Sequence, residues 1–226
     1  NQLFTRTHSM MVRERRFTSD AAHELRSPLT ALKVQTEVVQ LSDDDPQTRE
    51  KALVQLHAGI ERATRLVDQL LTLSRLDSLD NLQDVAEISL EELLQSAVMD
   101  IYHPAQQAHI DVRLQINAHN IMRTGQPLLL SLMVRNLLDN AIRYSPQGSI
   151  VEVTLNARNF SVKDNGPGFA PEVLTHIGER FYRPPGQSVT GSGLGLSIVR
   201  RIAILHGMSA SFGNAPQGGF EAKVSW

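Results

Sequence analysis

The chain has 226 residues, 41% of them apolar and 20% charged, a composition typical of a folded protein with one large or two small domains. Its formal net charge of −2 argues against a nucleic-acid-binding protein that depends on neutralising phosphate groups. Cysteine is absent, so disulfides and thiolate metal sites are excluded.

Residues 4–41 carry good helix formers with apolar residues at helical spacing, which predicts one long helix. An acidic stretch, 42–46, ends it, and we interpret this stretch as a solvated turn rather than a cation site. Pro46 is placed to begin a second helix that fades near residue 77. Two long helices joined by a short turn form an antiparallel hairpin, which cannot bury both apolar stripes alone. We therefore expect a homodimer that forms a four-helix bundle.

Pro28 lies inside the first helical pattern, five residues after His23. A proline within a helix removes a backbone hydrogen bond, so we expect a kink near residue 24 that exposes the His23 side chain. The alternative is that the helix ends at Pro28.

The second part of the chain changes character near residue 86. Ser89 is placed to cap a helix that runs to about residue 108. Alternation and turn signals predict strands at 109–116, 121–123, 149–157, 160–164, 208–212 and 219–224, and helices at 126–144 and 194–206. Elements in this order predict a sheet covered on one face by helices, which is an α/β sandwich.

One face of the helix predicted at residues 126–144 carries polar side chains suited to ligand binding. Asn136, Asn140, Arg143 and Tyr144 share a stripe, and the opposite face has Leu137, Leu138 and Ile142 for the core. Two amides, a guanidinium and a phenol suit phosphate oxygens, a hydrated Mg²⁺ and an aromatic base, because an amide oxygen is an acceptable Mg²⁺ ligand. The alternative is a solvated helix face.

Two glycine-bearing segments follow. Asp164 ends a strand and precedes Gly166 and Gly168, where glycine permits a close backbone approach to a ligand. Its carboxylate could accept a hydrogen bond from an exocyclic amine such as adenine N6. The second segment opens a helix, where free N–H groups and the helix dipole favour an anion. Its residues are Gly191, Ser192, Gly193, Leu194, Gly195 and Leu196.

Residues 180–190 separate these two segments and are rich in Pro and Gly. We interpret them as a mobile lid that carries a basic residue toward phosphate. Taken singly, the Asp164 segment could be an ordinary Asn-Gly turn and each other segment a plain loop. Their occurrence together and in this order argues against that alternative.

The ordered segments resemble the five sequence boxes of bacterial sensor histidine kinases. Residues 23–29 resemble the H box, 136–145 the N box, 164–169 and 191–196 the two glycine boxes, and Phe181-Tyr182 the F box. Residues 1–15 resemble the end of a HAMP linker. The resemblance implies a helical hairpin at 16–80, a linker at 81–87, and an ATP-binding domain at 88–226 of the type shared with gyrase, heat-shock-ninety and MutL proteins.

The same resemblance implies an activity and roles for its residues. It implies that ATP phosphorylates His23, that Glu24 polarises the imidazole, and that the phosphoryl group passes to an aspartate of a response regulator. Ser27 stands where the family has the Thr or Asn that positions water for phosphatase activity. Asn140 would hold Mg²⁺. The residues that would face ATP are Asn136, Asn140, Arg143, Tyr144, Asp164, Gly166, Gly168, Phe181, Tyr182, Arg183, Gly191, Ser192, Gly193, Leu194, Gly195 and Leu196.

The sequence has no apolar run near the roughly 20 residues that a membrane helix needs, and it begins without Met. We expect a soluble fragment, and the resemblance implies that it is the cytoplasmic portion of a bacterial inner-membrane protein. Two alternatives compete with the kinase interpretation. One is an ATP hydrolase of the gyrase group, which places a glutamate where this chain has Asn136. The other is a degenerate binding module without catalysis.

Overall fold

The computed structural model describes residues 2–42, 45–79, 81–185 and 191–226, with side chains from residue 17 onward. The chain divides into two compact units, Asn1–Thr72 and Leu73–Trp226. The acidic residues Asp43 and Asp44 and the predicted lid residues 186–190 lie outside the described residues.

The first unit is the predicted helical hairpin. Helix α1 spans Gln2–Leu41, and α2 spans Pro46–Ser78, with its last turns in the second unit. Helix α1 continues through Pro28, so a helix boundary there is wrong, while the kink stays a prediction. Within the hairpin a Cβ added to Gly59 would lie 2.7 Å from Cδ2 of Leu32, so the glycine allows α2 to approach α1 closely.

Asp45 caps the N-terminus of α2. Its Oδ1 accepts hydrogen bonds from the N–H groups of Gln47 (3.1 Å) and Thr48 (3.2 Å), and its Oδ2 accepts from the Thr48 hydroxyl (2.7 Å). These bonds lower the pKa of the Asp45 carboxyl below its ordinary value of 3.8, and the bond from the Thr48 hydroxyl contributes most. The carboxylate therefore serves the helix end. Among the described residues no group of three His, Asp or Glu side chains could hold a metal ion.

After the end of α2, the elements of the second unit are β1 Ala86–Ser89, α3 Leu90–Asp100, α4 Tyr102–Gln107, β2 Asp111–Ile116, β3 Met122–Gly125, α5 Pro127–Tyr144, β4 Ile150–Leu155, β5 Asn159–Asp164, α6 Pro171–Leu174, α7 Gly195–Leu205, β6 Ser209–Asn214 and β7 Phe220–Ser225. The unit is built on a five-stranded sheet with the order β2-β4-β5-β7-β6, in which only β2 and β4 pair in parallel.

The core lies between one face of this sheet and the helices. Val151, Val153 and Leu155 of β4 are fully buried, as are Leu138 of α5 and Ile202 of α7. The other sheet face is polar and carries an ion pair of 3.3 Å between Glu152 and Lys163. This one-sided burial is what the alternating strand patterns predicted, and the α/β sandwich is confirmed.

Three features depart from the sequence prediction. The helix expected to run from Ser89 to residue 108 is two helices, because Pro104 has no N–H for the carbonyl of Asp100, and the chain breaks at Ile101. Ser89 does cap α3, accepting from the N–H of Glu92. The short strand β1, which pairs with β3, and the four-residue helix α6 were not predicted.

None of the helices in the described ranges is both long enough and apolar enough to span a membrane.

Candidate active site

His23 stands on α1 with its side chain exposed, and Ser27 is exposed one helical turn later. Glu24, the neighbouring acid, is half-buried. Pro28 leaves the carbonyl of Glu24 without its usual helical donor, and the Thr30 hydroxyl donates to the carbonyl of Arg26 over 2.9 Å. The first unit therefore presents an accessible imidazole beside a local irregularity in the helix.

The polar stripe of α5 is formed as predicted. Asn136, Asn140, Arg143 and Tyr144 are all half-buried on this helix, whose opposite side contributes Leu138 to the core. Asn136 donates from Nδ2 to the carbonyl of Leu132 over 2.8 Å, which fixes the orientation of its amide. Ile142, expected in the core, is only half-buried.

The second glycine segment packs against this stripe. A Cβ added to Gly195 would lie 3.0 Å from Nδ2 of Asn140 and 3.3 Å from Oδ1 of Asn136. A Cβ added to Gly191 would lie 2.6 Å from the Tyr144 hydroxyl. The absence of side chains thus lets this segment lie close to the amides and the phenol, beside the N-terminus of α7.

The other residues of this segment differ in which of their groups a ligand can contact. Leu194 is fully buried, so only its backbone can meet a ligand, and its N–H donates to Oγ of Ser192 over 3.2 Å. Leu196 is half-buried. The first N–H groups of a helix lack intrahelical acceptors, which makes the start of α7 a donor surface for phosphate oxygens.

The F-box residues are tied to the second glycine segment by the backbone. The N–H of Phe181 donates to the carbonyl of Gly193 over 3.1 Å, and Phe181 itself has a positive φ of 62°. The Tyr182 ring stands 5.3 Å from the ring of His176. Arg183 is exposed. The two borders of the predicted lid therefore meet, while its residues 186–190 lie outside the described part of the chain.

Asp164 is buried at the end of β5, with 7% of its surface exposed. Its Oδ1 accepts from the N–H of Gly166 at 2.8 Å and from the N–H of Phe220 at 3.1 Å. The described residues donate no hydrogen bond to Oδ2. One carboxylate oxygen thus holds the carboxylate in place, and the other remains an acceptor for a ligand amine.

Three residues of the site were not predicted. Asn214 bonds the backbone of Phe169 just after Gly168, Phe220 supports Asp164, and the backbone of Gly219 packs against the carbonyl of Asp164. They lie some 45 to 56 residues away from their partners in sequence. Only the order of strands in the sheet brings them together, and no local motif signals it.

Two segments of the chain match two known domain families. Residues 13–79 match the model of the His Kinase A (phospho-acceptor) domain. Residues 125–226 match that of the histidine kinase-, DNA gyrase B- and HSP90-like ATPase. Sensor protein QseC of Salmonella typhimurium is 86% identical over 226 residues, which are 100% of this chain and 50% of that protein. The chain belongs to the sensor histidine kinases.

A second relative and a solved structure are also similar to this chain. QseC of Escherichia coli K12 is 84% identical over 226 residues, 100% of this chain and 50% of that protein. A solved structure of the cytoplasmic segment of histidine kinase QseC has 71% identity and a TM-score of 0.55, covering 74% of this chain and 93% of that one. The chain thus spans about half the length of the curated relatives it matches.

A more distant structure shares the fold. The histidine kinase AdeS of Acinetobacter baumannii has 22% identity and a TM-score of 0.70, covering 90% of this chain and 97% of that one. The family and the fold predicted from the five boxes are confirmed, and the second unit carries an ATP-binding domain of this kinase type.

Proposed function

We propose that this chain is a protein-histidine kinase that transfers the γ-phosphoryl group of ATP to His23. The observation that carries the proposal is the packing of Gly195 against Asn136 and Asn140, which places two amides beside the helix terminus of an ATP-binding domain. The exposed His23 in a phospho-acceptor domain supplies the nucleophile. A neutral ring nitrogen attacks the γ-phosphorus, the bond to the bridging oxygen breaks, and ADP leaves.

The residues take the following roles. Asp164 reads the adenine amine through Oδ2, and Tyr144 lies against the base. The start of α7, Arg143 and Arg183 face the phosphates, whose charge they neutralise. Glu24 orients the His23 imidazole and holds its ring proton. Positioning and charge neutralisation supply most of the catalysis in this type of transfer.

Mg²⁺ fits this site because the half-buried Asn140 offers a hard amide oxygen, beside which a Cβ at Gly195 would lie only 3.3 Å away. The ion would neutralise charge on the transferred group. Asn136 occupies the position of the catalytic glutamate of the gyrase-type hydrolases. An amide cannot serve as a general base, so we expect little hydrolysis of ATP to water.

We further propose a homodimer through the hairpin. Several large apolar side chains of α1 and α2 are exposed in the single chain, and exposed apolar surface of this kind marks a protein–protein contact. They are Leu29 (58%), Leu41 (87%), Leu53 (47%), Ile60 (51%) and Val67 (40%). Burial of these stripes in a four-helix bundle follows the family's phospho-acceptor domain.

The partner of the phosphorylated protein is a response regulator, whose aspartate accepts the phosphoryl group. Ser27 lies one turn from His23 and would position water for the reverse phosphatase reaction. We assign residues 1–15 to the end of a HAMP-type linker, 16–80 to the hairpin, 81–87 to a linker and 88–226 to the ATP-binding domain. The full-length protein would place this portion on the cytoplasmic side of the inner membrane.

Incubation with γ-labelled ATP and Mg²⁺, followed by mapping of the labelled residue, tests the proposal. We expect an acid-labile label on His23, lost in His23→Ala and in Asn140→Ala. His57→Ala is the matched control, because His57 is an exposed histidine on the same hairpin. A wild-type chain without label, or a His23→Ala chain that still takes it, would overturn the assignment. Mixing His23→Ala with Asn140→Ala chains then shows whether transfer crosses the dimer.

A further inference from the structure

The turn between β6 and β7 braces the first glycine box. Oδ1 of Asn214, the last residue of β6, accepts from the N–H of Phe169 at 2.9 Å. Its Nδ2 donates to the carbonyl of the same residue at 2.7 Å. One side-chain amide therefore satisfies both backbone groups of Phe169, as a neighbouring strand would do.

Gly168 provides the space in which this amide sits. It has a φ of +69°, and a Cβ there would lie 2.7 Å from Oδ1 and 3.4 Å from Nδ2 of Asn214. Any side chain at residue 168 would displace the amide. The glycine and the asparagine thus form one fitted pair, although they are 46 positions apart in the sequence.

The other end of the box is held by the same turn. The N–H of Phe220, the first residue of β7, donates to Oδ1 of Asp164 at 3.1 Å. The Phe220 ring meets the Phe169 ring edge to face, with 5.2 Å between the centroids. The β6–β7 turn therefore contacts the residue proposed to read adenine and also the loop that follows it.

We propose that Asn214 is a positioning residue of the nucleotide site, which holds the Gly168–Phe169 backbone where the base of ATP binds. This inference rests on the proposed function, since it names the residue that shapes the base end of that site. Asn214 is exposed and lies on the edge strand β6, so the core of the sheet does not depend on its amide.

The effect is expected on capture of ATP and not on the chemical step. Asn214→Ala removes two hydrogen bonds from the loop, and we expect the half-saturating ATP concentration for His23 labelling to rise about tenfold. The rate at saturating ATP should stay within about twofold, because the groups facing the phosphates are untouched. Asn214→Asp should also weaken ATP binding, because a carboxylate oxygen would then face the carbonyl oxygen of Phe169.

Asn117→Ala is the matched control. Asn117 is also an exposed amide with two side-chain hydrogen bonds, to Gln115 and Asn156, each of 3.0 Å, beyond the end of β2 on the opposite edge of the sheet. We expect its ATP dependence to equal that of the wild type. Fluorescence of Trp226, the single tryptophan, reports whether each variant is folded.

A double-mutant cycle shows whether Asn214 acts through the glycine box. Gly168→Ala already displaces the amide, so adding Asn214→Ala should change the ATP dependence no further. Additive effects, or folded Asn214→Ala and Asn214→Asp chains with the wild-type ATP dependence, would overturn the inference. A wild type that does not bind ATP would instead refute the proposed function.

Discussion

Arg201 of α7 donates from Nε to the carbonyl oxygen of Leu76 over 3.1 Å, across 125 residues of sequence. Its Nη2 donates to the carbonyl of Leu79, also over 3.1 Å. The last carbonyls of a helix lack intrahelical donors, so this guanidinium caps the C-terminus of α2. Leu76 is 1% exposed. The end of α2 is therefore a packed part of the second unit.

Removing this helix cap should lower the free energy of unfolding more than removing the adjacent ion pair does. Asp77 lies 2.8 Å from Arg180 and 3.8 Å from Arg201, but these side chains are between 28% and 37% exposed. Solvent screening limits such a pair to about 1 kcal/mol or less, which is what we expect from Asp77→Ala. Arg201→Ala removes two hydrogen bonds and leaves the carbonyl of Leu76 with only the N–H of Leu79 (3.4 Å), and we expect it to lower the free energy of unfolding by about 2 kcal/mol.

Urea unfolding followed by Trp226 fluorescence measures both changes in the second unit. Arg75→Ala, which removes an exposed arginine from the same end of α2, should lie within about 0.5 kcal/mol of the wild type. Equal losses for Asp77→Ala and Arg201→Ala would contradict the capping role.

The parts of this fold that the sequence predicts are those with a local physical cause. The spacing of Asn136, Asn140 and Tyr144 places them on one face of any helix, and glycines before a helix N-terminus indicate a phosphate-binding segment. The long helices α1, α2 and α5 and the central strands were predicted for the same reason, since their apolar periods are set by burial on one face.

The parts that escaped prediction depend on partners far away in sequence. Asn214 lies beyond the strand predicted at 208–212, and no local pattern marks it until the sheet order sets it beside Gly168. Strand β1 is only four residues long, and it is formed by pairing with β3. Arg201 caps a helix that ended more than a hundred residues earlier. Topology, which a single sequence does not reveal, decides all three.

His206 makes stability depend on pH. Its Nδ1 donates to the carbonyl of Ile202 at 2.8 Å, and its Nε2 accepts from the N–H of Gln126 at 3.0 Å. Only the neutral ring can make both bonds. Burial lowers the pKa of His206 below 6.5, and the bond to Ile202 opposes that shift.

Because the folded-state pKa is lowered, the unfolded chain takes up this proton first as the pH falls. The contribution of His206 is then fully present above about pH 6.5 and is lost as the pH falls toward the folded-state pKa. The test measures the free energy of unfolding with urea between about pH 5 and pH 8. As the pH falls, this free energy should decrease more steeply for the wild type than for His206→Gln. Parallel profiles would show that His206 does not titrate in this way.

Gly195→Ala should weaken Mg²⁺-dependent ATP binding without weakening the fold. Its Cβ would force the Asn140 and Asn136 amides to shift by a few tenths of an ångström. Mg²⁺ tolerates little distortion of its ligands, so we expect a loss of about fivefold to tenfold in ATP affinity. Alanine is the better helix former, so thermal stability should not fall.

Gly213→Ala serves as the control for this change, since a Cβ there meets no atom within 4 Å. Titration of ATP with and without Mg²⁺ separates the two contributions. If Gly195→Ala lost the same affinity in the absence of Mg²⁺, the alanine would act on the nucleotide directly, and Asn140 would not be the metal ligand.

Asp164→Asn should change which purine base the site prefers. The amide oxygen can still accept from Gly166 and Phe220, so the loop keeps the two bonds that now hold Oδ1. The other position becomes an NH₂ group, which donates where the carboxylate accepts. It therefore meets the adenine amine donor to donor, whereas the 6-oxo group of hypoxanthine offers an acceptor.

We expect the ratio of ATP to ITP affinity to fall by about tenfold or more in Asp164→Asn, because a buried polar group left unpaired discriminates strongly between such ligands. Competition binding with the two nucleotides measures this ratio without depending on catalysis. Asn214→Ala serves as the control, because loosening the loop should weaken the binding of ATP and ITP by the same factor. An unchanged ratio in Asp164→Asn would mean that this carboxylate supports the turn and does not read the base.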